Sequence, residues 1–151
     1  MSKELEDRFH EFEKRIRNFC GKLKWDIINV EYIRQLIRAS GSIGANYVEA
    51  SDDLGKADEK MKIKISRRET KESIHWLDLV LTYDNSVLEK EKAELIDEAI
   101  QIRKILSAII NKLSYFQFVL LLFSYLYLAS WTLYLYFFIL VFFLVPCTLC
   151  L

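Results

Sequence analysis

Every Asp, Glu, Lys, Arg and His of this chain lies at or before Lys112, and none follows through Leu151. Charged side chains almost never enter a core unless paired, so a soluble fold spreads them over its whole surface. A chain that stops carrying them at one point is two unlike segments. Residues 1–113 form a charged, amphipathic segment, and residues 114–151 form a hydrophobic tail. The 21 basic and 21 acidic residues cancel, so net charge gives no general argument for nucleic acid and local patches decide.

The first segment reads as helices throughout. From about Lys3 to Leu23, the residues Leu5, Phe9, Phe12, Ile16, Phe19 and Leu23 recur by three and four, which makes one apolar stripe. Asn29 is placed to cap a second helix that ends near Ser51. On it Val30, Ile33, Ile37, Ser40, Gly44, Tyr47 and Val48 share a face, with Leu36 and Ile43 at its edge. The turn from Ser51 to Asp58 has Gly55 as breaker and Asp58 as the expected cap of a third helix reaching Tyr83. Met61, Ile65, Trp76, Leu79 and Val80 share its apolar face. Ser86 and Glu89 have capping-box spacing, and behind them Leu95, Ala99, Ile102, Leu106, Ile109 and Leu113 alternate as in a heptad. The fold class is therefore all-α, an antiparallel up-down four-helix bundle followed by a C-terminal hydrophobic helix.

The centre of the second helix is unusual, because Ser40, Gly41 and Gly44 stand where a core helix carries larger side chains. Each glycine costs about 1 kcal/mol against alanine in a helix interior. Close helix packing explains them better than phosphate binding. The run lacks the GxGxxG and GxxxxGK[ST] patterns, and no strand precedes it.

The third helix carries the residues with the most chemistry. Lys60, Lys64, Arg67, Arg68 and Lys71 form a basic stripe, a candidate nucleic-acid contact or a solvated face. Glu69 and Glu72 fall toward the apolar side, where a carboxylate needs a partner; Arg38 and Asn46 of the second helix, and also Arg34, are expected to supply one. Glu72 and His75 have Glu-x-x-His spacing, but a di-metal bundle needs that motif twice, and the other histidine is His10. Cys20 reads as a core thiol. Cys147 and Cys150 have CxxC spacing with nothing to complete a zinc or redox site. No metal, cofactor, small-molecule substrate or catalytic constellation is expected. Met1 to Arg17 is too charged for a signal peptide.

The run Ser42-Ile-Gly-Ala-Asn-Tyr-Val-Glu-Ala50, then Gly55-Lys56, Lys62-Ile-Lys-Ile-Ser66 and Glu69-Thr-Lys-Glu-Ser-Ile-His-Trp-Leu77, resembles a bacterial four-helix-bundle family. Its members are similar to the protein encoded in intervening sequences of 23S ribosomal RNA genes, and the likeness covers roughly Glu4 to Leu113. The resemblance implies a left-handed up-down bundle that often assembles as a ring-like homopentamer, with no catalytic residues to carry over. Relatives accompanying diversity-generating retroelements look like accessory proteins that bind RNA and a reverse transcriptase, which makes RNA the candidate partner of the basic stripe. The sequence departs from the family pattern at Glu59-Lys60, where an apolar pair is frequent, and at His75, where tyrosine is. It is also near neutral, where the retroelement relatives are basic.

The tail has no counterpart in that family. From Tyr115 to Val145 it is nearly continuous Leu, Phe, Tyr, Val and Ile, long enough for a transmembrane helix of about 20 residues, with Pro146 as its stop. Lys104 and Lys112 precede it, so insertion would leave the bundle cytoplasmic and anchored to the inner membrane. The alternatives are a non-native extension and a greasy helix folded into an oligomer. Cys147 and Cys150 are candidate acylation sites, although the terminus is not a C-a-a-X box.

Overall fold

The computed structural model describes residues 2–52 and 55–144, with only the backbone at 117 and 141–144. Asp53 and Leu54 of the second connector, and Val145, Pro146, Cys147 and Cys150, lie outside the described residues. Four helices are described: α1 (Lys3–Lys22), α2 (Asn29–Glu49), α3 (Lys56–Leu79) and α4 (Ser86–Leu144). The chain divides into two compact units, Met1–Leu113 and Ser114–Leu151.

The first unit is the antiparallel up-down bundle. Arg8 near the start of α1 meets Glu98, with Nε–Oε1 2.7 Å, while Lys22 at its end meets Glu91, with Nζ–Oε1 2.7 Å. The order runs backwards along α4, so α1 and α4 are antiparallel. Between α2 and α3, Glu49 pairs with Lys62 and Tyr32 stacks on Trp76, which again reverses direction. The core is the α1 stripe of Phe9, Phe12, Ile16 and Phe19 with Ile33, Leu36, Ile43 and Tyr47, closed by Ile63, Leu77, Leu95, Ala99, Ile102 and Leu106. Phe9 stands edge-on to Tyr47 with ring centroids 4.8 Å apart, and the Tyr47 hydroxyl accepts from the Ser2 amide at 3.2 Å. Burial raises the Tyr47 pKa, so the ring stays a neutral core aromatic.

Two faces differ from the sequence expectation. On α2 the buried row is Ile33, Leu36, Ala39, Ser40, Ile43 and Tyr47, so Leu36 and Ile43 are central while Ile37 and Val48 stand exposed. On α3 the buried row is Ile63, Ser66, Thr70, Ser73 and Leu77. Met61 is exposed, and Ile65, Trp76 and Leu79 are half-buried at its flank. The large side chains of α3 misled, because its core-facing positions are mostly small hydroxylated residues. Their hydroxyls are satisfied locally: Thr70 donates to the Ser66 carbonyl and Ser73 to that of Glu69, at 2.8 and 2.9 Å. Ser66 donates across to the Ile43 carbonyl of α2 at 2.8 Å, which requires the two backbones to lie close.

The helix starts also differ. Asp26, rather than Asn29, caps α2, accepting from the Ile28 and Asn29 amides at 3.1 and 3.0 Å. These amides and the Tyr83 hydroxyl hold its pKa below the usual carboxylate value. Gly55, at φ 108°, precedes α3, so Asp58 sits in the first turn instead of capping it. Asn85 caps α4, accepting from the Val87 and Leu88 amides, and Glu89 turns to the Thr82 hydroxyl and Lys92.

Asn29 is instead a clamp. It is wholly buried, donates to the carbonyls of Lys24 and Leu81 at 3.0 and 2.9 Å, and accepts from the Leu81 amide at 2.8 Å. It thereby ties the α1–α2 connector to the α3–α4 connector. Removing one partner of a buried hydrogen bond leaves the other unsatisfied at about 1–3 kcal/mol. Asn29→Ala should therefore lower unfolding free energy by about 2–4 kcal/mol, read from the urea midpoint at unchanged slope. A loss under about 0.5 kcal/mol would show that water replaces the clamp.

Candidate nucleic-acid interface

The basic stripe of α3 turns away from the core. Lys64, Arg68 and Lys71 are exposed, and Lys60 and Arg67 are half-buried along their stems. Arg68 lies 3.6 Å from Glu69 of the adjoining position; Lys60, Lys64, Arg67 and Lys71 make no ion pair among the described residues. At the seam between α1 and α4, by contrast, three α1 cations are paired. There Arg8 grips Glu98 and Gln101, Lys22 grips Glu91, and Arg15 lies 3.9 Å from Glu94. The helix periodicity that buries Ile63, Ser66, Thr70, Ser73 and Leu77 necessarily sets Lys60, Lys64, Arg67 and Lys71 on one outer row. Chemically this is a row of cationic donors at one-turn spacing, suited to successive phosphates.

The polar cluster expected between α2 and α3 does not assemble as the sequence suggested. Glu69 meets Arg68 on its own helix, and Glu72 accepts from the Trp76 indole at 3.2 Å. Arg38 is exposed, Arg34 pairs with Glu31, and Asn46 donates to the Ser42 carbonyl one turn back. The reason is the rotated α3 face: Glu69 and Glu72 lie half-buried on its flank, and each finds its partner on α3 itself. Glu72 and His75 bring no metal cluster with them, and none occurs among the described residues. Cys20 is buried, and burial pushes its thiol up to about 12, so it is a packing group.

The small residues of α2 separate into different roles. Ser40 is buried and donates to the Ile37 carbonyl at 3.2 Å. Gly44 faces α1, where its amide donates to Glu13 Oε1 at 3.2 Å, and a Cβ there would collide with that carboxylate. Burial raises the Glu13 pKa, opposed by this amide bond and by His10. Gly41 has open space around it, with nothing within 4 Å of a built Cβ. A groove of about 470 Å³ runs past both, lined among others by His10, Glu13, Gly41, Gly44, Ala45 and Val48. The sequence reading missed Glu13; its position between Phe12 and Lys14 gave no sign that it faces a glycine.

An antiparallel up-down four-helix bundle with a cationic outer row on α3 defines the class: a helical-bundle protein. The family is shown by sequence. The model of the 23S rRNA-intervening sequence protein family matches residues 4–108, and the chain belongs to that family. Among solved structures it resembles a protein of unknown function from the S23 ribosomal protein family of Bacteroides thetaiotaomicron. The two are 28% identical, with a TM-score of 0.60, over 70% of this chain and 97% of that one. No curated protein matches.

Because Gly41 meets nothing, Gly41→Ala should raise stability by about 0.5–1 kcal/mol, the helix-propensity difference. Gly44→Ala must first displace the Glu13 carboxylate, so its gain should be smaller or absent. Thermal melts of both variants check this, and equal gains would show that the Glu13 contact contributes nothing.

Proposed function

We propose that this chain is a non-enzymatic interaction module that assembles with copies of itself and contacts RNA phosphates through the outer row of α3. The observation that carries the RNA reading is the one-turn row of Lys60, Lys64, Arg67 and Lys71, none of them in an ion pair among the described residues, beside the α1 cations Arg8, Arg15 and Lys22, which are paired with α4 carboxylates. Exposed pairs of the second kind are worth little for stability, about 0–1 kcal/mol each, yet they neutralise charge locally. The α3 row is a local positive surface on a chain with no net charge. The assembly reading draws on Ile37, Val48 and Met61, which stand exposed on α2 and α3, and on the self-assembly that the sequence resemblance implies. No cofactor or small-molecule substrate enters this reading.

RNA bound by the full chain should weaken steeply with salt, since phosphate neutralisation releases counterions. Replacing Lys64, Arg67 and Lys71 with Glu should abolish that binding at unchanged helicity, measured by fluorescence anisotropy across a salt series. Equal binding by the variant would remove α3 from the interface.

A second reading concerns the tail. From Tyr115 to Leu140 the large apolar side chains of α4 are exposed, and this helix is long and apolar enough to cross a membrane. Its helical length beyond Leu113, roughly 45 Å at 1.5 Å per residue, exceeds the ~30 Å hydrocarbon core and would need tilt. In this reading the module is tail-anchored in the inner membrane, with its bundle in the cytoplasm recruiting a partner. The full chain should then resist carbonate extraction from membranes, and a chain with Leu122, Leu126, Leu133 and Leu140 changed to Lys should be extracted. Release of both alike would sink the anchor.

A further inference from the structure

One face of the uncharged helix differs from the rest of it. Leu120, Ser124, Tyr127, Trp131, Tyr134 and Phe138 recur by four and three along α4, the spacing of a seam that faces another helix. On the same face Tyr127, Ser130, Trp131, Tyr134, Leu135 and Phe138 line a hollow of about 460 Å³. The rings of Tyr127, Trp131 and Tyr134 stand exposed beside it.

Their place along the helix makes these groups costly in a bilayer. α4 runs to Leu144, and at 1.5 Å per residue Tyr127 and Trp131 each lie about 3 Å from the midpoint of its part beyond Leu113. Tyrosine and tryptophan are otherwise enriched at the two membrane–water interfaces, where their polar atoms meet water. Ser124, Ser130 and Thr132 are satisfied within the helix, each donating to a carbonyl three residues back at 2.8 Å. The aromatic groups are satisfied only in part. The Trp131 indole donates to the Tyr127 hydroxyl at 3.3 Å, which leaves the Tyr127 proton and the whole Tyr134 hydroxyl without a partner among the described residues. Hydrocarbon offers neither donor nor acceptor, so such groups are satisfied there by another helix.

The other tail tyrosines form no such cluster. Tyr115 follows Lys112 by three residues, at the near interface of an inserted tail. Tyr125 and Tyr136 fall on the opposite side of the helix, about three turns apart, among Phe118, Leu122, Ala129 and Leu140.

We propose, on the tail-anchored reading above, that in the membrane this face packs against the same face of a second copy of the tail, in parallel, through Tyr127, Trp131 and Tyr134. Depth selects the occupant. Every copy inserts from the same side, so each brings these three residues to one level. A tyrosine hydroxyl both donates and accepts, so the row pairs with itself and needs no second chemistry. Lipid chains carry no polar group at that level. Parallel helices around an axis along the membrane normal can close into a cyclic assembly of any number, as the ring-like assembly implied by the sequence resemblance requires.

The test is disulfide formation by the full chain in inner membranes under a membrane-permeant oxidant, in a Cys147→Ser, Cys150→Ser background where the remaining Cys20 is buried in the bundle. Leu120→Cys and Phe138→Cys, on the row, should join copies at least tenfold faster than Leu122→Cys and Leu140→Cys, which lie at nearly the same depths on the other side. Tyr127→Phe with Tyr134→Phe keeps the helix apolar and should weaken association in lipid vesicles at least fivefold, read by energy transfer between labelled chains. Tyr125→Phe with Tyr136→Phe should leave it unchanged. Equal cross-linking on both sides, in a chain that resists carbonate extraction, would overturn the contact and leave the anchor standing. A chain that carbonate releases would overturn both. Cross-links from Leu120→Cys to a different protein, with none between copies, would show that another membrane helix is the occupant and that the second-copy contact is wrong.

Discussion

The bundle depends on one requirement, that the aromatic stripe of α1 be enclosed on all sides. Phe9, Phe12, Ile16 and Phe19 are essentially unexposed, and a helix with this ridge has no stable life outside a bundle. Burying such side chains is worth about 1.5–3 kcal/mol each, before the entropy of ordering the chain is subtracted. The stripe needs α4 on one side, where Leu95, Ala99, Ile102 and Leu106 repeat in register, and α2 on the other, where Ile33, Leu36, Ile43 and Tyr47 do. The ion pairs Arg8–Glu98 and Lys22–Glu91 lie along the edge of this packing and follow from it.

α3 joins this core on different terms. With Ser66, Thr70 and Ser73 inward, it brings little apolar area and relies on close approach to α2, marked by the Ser66 hydroxyl on the Ile43 carbonyl. Every buried side-chain nitrogen and oxygen among the described residues finds a partner, which lets so polar a face be buried without penalty. Its larger residues, Met61, Ile65, Trp76 and Leu79, are displaced to a flank that is half covered. The same rotation sets the basic row outward. The cationic surface and the hydroxyl-lined core are thus two sides of one register.

The connectors add a second kind of order. Asn29, Asp26 and Tyr83 make the pair of loops at one end a hydrogen-bonded unit, with the side chains of Trp25 and Ile27 turned to solvent. A bundle end is usually polar, since loops carry backbone groups that need water. Here Asn29 and Asp26 bind backbone groups of the connectors, and apolar side chains stand exposed beside them. In the uncharged second unit, by contrast, the large apolar side chains described from Tyr115 to Leu140 stand exposed along a helix.

Much of this was legible in the sequence. Helix number, approximate limits and most of the buried rows of α1 and α4 follow from large residues at three- and four-residue spacing, because periodicity decides which side of a helix avoids water. At the end of the α4 row Ile110 is buried where Ile109 was expected, and Ile109 and Leu113 are half-buried. The family likeness over the bundle was legible in the Ser42–Ala50 and Glu69–Leu77 runs for the same reason, that motifs are local. The faces of α2 and α3 were not. Ser, Thr, Gly and Ala carry no strong preference for water or core, so a helix rich in them can turn by half a face at small cost. Which way it turns is set by the neighbours, as with Ser66 on the Ile43 carbonyl and Gly44 on Glu13. Sequence by itself determined four amphipathic helices, the place where charge ends and the existence of a basic row. Only the tertiary structure decided that Asn29 clamps two loops instead of capping a helix, that Glu69 and Glu72 lie apart from Arg38, and that one bundle end is apolar. Those are contacts between residues distant in the chain, and no local pattern encodes a distant partner.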